Sequence, residues 1–239
     1  MPDKELSLIG HLTELRKRII YCLIPFLLAT VFSALFTRSI LGFLRLPAKG
    51  AIGKLAFFSP QEIAVTYIKI AIFSGLLLAL PVILYQIWRF ISPALEERQR
   101  RHTINFIFFT WFSFFIGAGF CFFCLLPVSL KFLIGLAGDE LVPVISISKY
   151  ISFVLALTLG CGLVFEMPVL TWILTKLKIL NAGVLRKKRK YAVVIILILA
   201  AIITPTVDPF NMFLLAIPML GLYEISIWIS SLAELKRKL

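Results

Sequence analysis

The sequence predicts an all-α polytopic membrane protein: one transmembrane domain over 1–239, with six transmembrane helices and both termini cytoplasmic. Three observations predict it. Apolar residues make up 60% of the 239, with 22 Phe, and the mean hydropathy of +0.99 lies well outside the range of soluble domains. They gather in long runs, and the polar stretches between them are too short to bury a separate core. Assigning alternate segments to opposite sides gives one side 18 basic residues and the other 6. That asymmetry marks the richer side as cytoplasmic.

The first span is the charge-free run 19–36, within which Pro25 is tolerable for a membrane helix. It follows a basic flank, is too long for the apolar part of a signal peptide, and lacks a small-residue cleavage site, so it is kept as a span. Ahead of it, Leu8, Leu12, Leu15 and Ile19 repeat at helical spacing while His11, Glu14 and Arg18 share another face. This predicts a short interfacial helix. Glu14 and Arg18, at i and i+4, read most simply as a surface pair of about 0.3 kcal/mol.

Residues 37–61 are too polar to span, but Ile40, Leu41, Phe43, Leu44 and Leu46 predict a short helix on the outer surface or over the bundle. Pro60, followed by Gln61 and Glu62, suits the first turn of the second span, 63–88, where proline and early acids are favourable. Their expected role is structural. Lys69, near the start of that span, is long enough to snorkel outward. The following loop, FISPALEERQRRH, sets Glu96 and Glu97 beside Arg98, Arg100 and Arg101. These acids balance charge in a hairpin or, with Glu14 nearby, make a pocket for a cationic peptide.

The third span, 103–126, is crowded with Phe. After it, Pro127, Gly135, Gly138 and Pro143 interrupt residues 127–149, which together with 37–61 would form an outer cap. The fourth span is 150–175. Residues 191–203 supply only 13 apolar positions, about 20 Å of helix against a hydrocarbon core of about 30 Å. The last run, 210–229, contains Pro218 and Glu224. Residues 191–229 either cross twice, the short helix thinning the bilayer locally, or dip in as a re-entrant hairpin, and the six-span reading takes the first.

Glu166 is the sole charged residue between Lys149 and Lys176. An ionisable side chain within a span is costly and marks a functional site by default, against the plainer reading of a protonated carboxyl closing a helix–helix hydrogen bond. It lies about 6 Å to the cytoplasmic side of the fourth span's midpoint at Gly162, where Gly160 and Gly162 thin the helix for a neighbour.

Several classes are excluded. The four cysteines lie in apolar runs, and CxxC at Cys121 and Cys124 has no companion ligands, so neither a metal nor a redox site is expected. HxxE at His11 and Glu14 is likewise unsupported, with only two His in the chain. No cofactor is implied. The net charge of +13 is explained by cytoplasmic basic loops and anionic membrane lipids, and the aromatics do not interleave with the basic clusters as nucleic-acid platforms would. No GxSxG, HExxH, paired intramembrane aspartates or GxxxxGK[ST] occurs, so an enzyme is not expected. An ion-coupled secondary transporter would also account for a lone intramembrane carboxylate and proline-interrupted short helices, although no inverted repeat is visible.

HLTELRKR at 11–18, FFSPQE at 57–62, YQIWRFISPAL at 85–95, GLVFEMP at 162–168, TP at 204–205 with Asp208, and LLAIPMLGLYE at 214–224 resemble, in order and along nearly the whole chain, the TatC family. The resemblance implies a cytoplasmic (inner) membrane protein of six helices forming a cupped wall. It implies the receptor role in twin-arginine translocation of folded proteins, with TatA and TatB type single-span subunits as partners and self-association. Signal-peptide binding would fall to Glu14, Arg16, Phe90, Pro93, Glu96, Glu97 and Gln99. Docking of a partner helix would fall to Glu166 with Asn211 and Met212, and Pro60, Glu62, Pro205 and Asp208 would be structural. Two positions depart from the family pattern. Gln99 stands where a glutamate is usual, leaving Glu96 or Glu97 as the available acids, and Met212 stands where a glutamine is common, with the polar Asn211 beside it.

Overall fold

The computed structural model describes residues 8–49, 52, 55–91, 103–136, 138, 143–206 and 208–238. Among them the chain is an all-α polytopic membrane protein, with five helices long and apolar enough to cross a bilayer. Helix α1, Leu8–Ala34, runs unbroken from the amphipathic segment into the apolar run, so no separate interfacial helix forms. Its 27 residues measure about 40 Å, longer than a hydrocarbon core, which lets the polar first turns project beyond the apolar run.

Helix α2, Thr37–Leu44, and a 3-10 turn, Leu46–Ala48, follow. The expected short helix of the cap is thus present, and it packs on the bundle: Leu44 is buried, its carbonyl accepts from Tyr150 Oη at 2.8 Å, and Phe43 stacks on Phe122 at 4.7 Å. Helix α3, Pro60–Ile91, is the longest element and the principal partner of α1. Their contact is close because position 75 is glycine. A Cβ there would sit 2.6 Å from Thr30 Cα, a distance that packed atoms do not tolerate.

Helix α4, Thr103–Phe120, continues through a π-turn at Cys121–Leu125 into α5, Leu126–Gly135. The break expected at Pro127 does not occur. Proline there occupies the first turn of α5, where its missing N–H matters least, and the shifted register of the π-turn accommodates its ring. Helix α6, Ile147–Val164, is followed by α7, Met167–Lys176, so the apolar run 150–175 is not one continuous helix. The interruption falls at Phe165 and Glu166. Pro168, at the start of α7, cannot supply the N–H that a continuous helix needs there.

Helices α8, Ala182–Lys187, α9, Arg189–Ile203, and α10, Pro209–Lys238, complete the chain. Helix α9 has 15 residues, about 22 Å. Ile70, Cys121, Ile151, Val154, Ala200 and Met219 lie at the centre of the main core, drawn from α3, the π-turn, α6, α9 and α10. All four cysteines are free.

Two ends of the bundle can be told apart by their contacts. At one, Ala56 N donates to Ile145 O at 3.0 Å and Ile147 N to Ala56 O at 2.8 Å, joining the segment before α3 to the segment before α6. This is the cap end. At the other, Arg18 meets Gln86, Trp88 packs with Ile173, and Thr175 Oγ1 lies 2.8 Å from Ser230 Oγ. The N-terminal turns of α1 and the C-terminal turns of α10 therefore share this second, basic end.

Candidate functional site

At the basic end, one turn of α1 faces the last turns of α3. Arg18 Nη2 donates to Glu14 Oε1 at 2.5 Å, and Arg18 Nη1 donates to Gln86 Oε1 at 3.1 Å. The pair expected on the surface is half-buried and held across two helices, with side-chain exposures of 15% for Arg18 and 27% for Glu14. Such enclosure strengthens a charge-assisted hydrogen bond relative to one in water. Gln86 is a site residue that sequence reasoning missed. Only its place one turn before Phe90, on the helix that α1 packs against, could have pointed to it.

Arg16 is exposed and Phe90 half-buried. Phe90 stands four residues beyond Gln86, on the same face of α3. Pro93, Glu96, Glu97 and Gln99 lie outside the described residues.

Glu166 sits in the break between α6 and α7, where its N–H donates to Leu163 O at 3.1 Å and its carbonyl accepts from Leu170 N at 2.9 Å. The residue is only 9% exposed, and its Oε1 is buried with no hydrogen-bond partner among the described residues. Helix α4 braces the break. Ser113 Oγ donates to Phe165 O at 2.7 Å, and Gly117 lets α4 approach so closely that a Cβ would stand 2.6 Å from Phe165 Cγ. A buried oxygen without a donor is unfavourable by about 1–3 kcal/mol, and it persists here in a backbone that α4 braces at two points.

Asn211 and Met212 are not brought to Glu166. Asn211 is buried at the cap-end start of α10, where its N–H donates to Asp208 Oδ1 at 2.7 Å and its Nδ2 to Asp208 Oδ2 at 2.8 Å and Thr206 Oγ1 at 3.2 Å. Met212 packs against the main core. With Thr175 and Ser230 side by side, Glu166 precedes the first by nine residues and Asn211 the second by 19. That difference is about 15 Å of helix rise. Asp208 caps α10. Burial pulls its carboxyl upward, but hydrogen bonds from the Asn211 backbone, Thr206, the Asn211 side chain and the Phe210 backbone outweigh this and hold it below the usual carboxylate range. Pro205 is exposed beside this turn, after Thr204, whose Oγ1 donates to Ala200 O at 2.8 Å.

At the cap end Pro60 opens α3, and Glu62 acts as a clamp. Its Oε2 accepts from Phe58 N at 2.8 Å, and its Oε1 accepts from Ser148 N at 3.2 Å and from Ser146 Oγ. Among the described residues no group of three or more His, Cys, Asp or Glu is arranged to hold a metal.

The family described as Sec-independent protein translocase protein (TatC) matches residues 10–218. Sec-independent protein translocase protein TatC of Carboxydothermus hydrogenoformans is 39% identical over 236 residues, covering 99% of this chain and 97% of that protein. Its counterpart from Aquifex aeolicus is 40% identical over 237 residues, covering 98% of each. A crystal structure described as the twin arginine translocase receptor TatC, 39% identical, superposes with a TM-score of 0.84 over 94% of this chain and 99% of that one.

Proposed function

This chain belongs to the TatC family of Sec-independent translocase subunits, and from that premise we propose that it is the receptor for twin-arginine signal peptides of folded precursor proteins. It is a multi-pass membrane component of a protein translocase and not an enzyme. The six-span arrangement with both termini cytoplasmic, in the inner membrane, is part of the same proposal. The 18 to 6 distribution of basic residues supports it.

The observation that carries the reading is the half-buried Glu14 carboxylate, already seated against a guanidinium at the basic end. Arg18 engages Oε1 and is itself steadied by Gln86. A signal-peptide guanidinium would approach the same carboxylate, and its planar fork suits two oxygens better than a lysine ammonium does. Phe90, Arg16 and the acids Glu96 and Glu97 would complete the surface. At depth, Glu166 would accept a polar contact from a TatA or TatB type helix, since an unpaired oxygen in an apolar bundle gains most from a donor brought by a partner. Self-association of the receptor belongs to the same proposal. A carrier would also use a buried carboxylate, but family membership favours the receptor.

Binding of signal peptides carrying Arg-Arg or Lys-Lys to wild type and to Glu14→Ala tests the reading. Wild type should prefer Arg-Arg by about ten-fold, equivalent to about 1.4 kcal/mol, and Glu14→Ala should lose the preference. Equal binding in all four combinations would overturn the receptor assignment.

A further inference from the structure

Lys69 lies nine residues into α3 from Pro60, about 14 Å along the helix. Its Nζ donates to Ser148 Oγ at 3.1 Å and Ser152 Oγ at 2.8 Å. Two hydroxyls satisfy donors but do not neutralise an ammonium, and a charge at the edge of an apolar bundle calls for a counter-charge. No described carboxylate forms an ion pair with it. Glu62, two turns away, is occupied by Phe58, Ser146 and Ser148, and Asp208 is occupied by Asn211.

Lys69 instead faces a cavity of about 490 Å³ at the cap end. A second ammonium, Lys149, lines it, as do Ser148 and Ser152, while Leu130, Leu133 and Phe153 supply apolar wall; no acid is among the described lining residues. Each serine that accepts from Lys69 still holds an O–H to donate. The cavity therefore combines two positive charges and hydroxyl donors with an apolar flank, in a protein whose surroundings are lipid.

We propose that this cavity seats the phosphate of an anionic phospholipid headgroup between Lys69 and Lys149, with an acyl chain along Leu130, Leu133 and Phe153. The phosphate supplies the direct ion pair that no described carboxylate makes with Lys69 or Lys149, and the apolar wall favours a lipid over a free anion.

The full chain purified in detergent micelles doped with phosphatidylglycerol or phosphatidylcholine provides the test, with retained lipid read by native mass spectrometry. Wild type should retain one phosphatidylglycerol at least ten-fold more readily than phosphatidylcholine. Lys69→Met should lose that retention by ten-fold or more, and Lys69→Arg should keep it. Lys149→Gln, at an exposed position, should weaken it several-fold, whereas Lys131→Met, exposed on α5 outside the cavity, should change nothing. Undiminished retention in both Lys69→Met and Lys149→Gln would overturn the proposal. So would equal retention of the two lipids, or displacement of phosphatidylglycerol by millimolar inorganic phosphate.

Discussion

The carboxylate of Glu62, at the cap end, accepts from Phe58 N, Ser148 N and Ser146 Oγ, whereas Glu166, in the break between α6 and α7, keeps one oxygen buried without a partner. Both stand where a helix begins. The first belongs to a region that the chain completes by itself, where two segments distant in sequence are fastened by backbone hydrogen bonds and one acid. The second belongs to a region whose backbone is braced by Ser113 and Gly117 but whose side chain is left short of a donor. A satisfied polar group stabilises a fold, whereas an unsatisfied buried one is unfavourable and gains from any donor brought to it. The contrast supports a structural part for Glu62 at the cap end and the proposed docking part for Glu166 at the break.

Replacing Glu166 should produce the largest effect, and on association. Glu166→Met should reduce co-purification of single-span partner subunits by at least ten-fold while leaving the melting temperature unchanged or raised, because an apolar side chain of similar length removes an unpaired oxygen without emptying the site. Loss of stability with undiminished partner binding would reverse the comparison.

A smaller and opposite effect is expected at the cap end. Glu62→Met should lower the melting temperature and speed deuterium exchange at the Phe58 and Ser148 amides, with partner co-purification intact. If exchange at those amides did not change, the clamp would have no role in holding the two segments.

Asp208 extends the comparison to a third acid, partnered like Glu62, with the smallest effect. Asp208→Ala should cost about 1 kcal/mol, the usual magnitude for an N-cap. Because the folded carboxyl is held below its ordinary value, its contribution is complete above the ordinary carboxylate range and fades as pH falls through the folded value. Melting curves of wild type and Asp208→Ala should therefore converge in acid. A gap that persisted to the lowest pH would assign the stabilisation to packing.

Much of this architecture was legible in the residues. The short helix around Ile40 to Leu46 was visible in its apolar pattern, and the shortness of the helix after Lys190 in its 13 apolar positions. The prolines were harder. Pro127 reads as a break yet lies inside a nearly continuous helical path, while Pro168 marks a true interruption two residues earlier. Proline removes the same N–H in both places, and the neighbouring helices decide whether the chain re-forms its ladder through a π-turn or restarts. At the sites, Glu14 and Glu166 stand out as acids in basic or apolar surroundings. Gln86 does not, because nothing local distinguishes a glutamine that meets Arg18 from one that meets solvent.

That this protein is helical and membrane-bound, where its long apolar runs lie, and which family it belongs to can all be read from the residues in order. These properties follow from hydropathy, charge asymmetry and motif order, each carried by residues close together in the chain. Helix packing, by contrast, is what leaves Glu62 satisfied and one Glu166 oxygen without a partner, shares Arg18 between Glu14 and Gln86, and sets Asn211 at a helix cap about 15 Å of helix rise from Glu166. A hydrogen bond is set by distances of a few tenths of an ångström between elements far apart in sequence, and those distances exist only once the helices have packed.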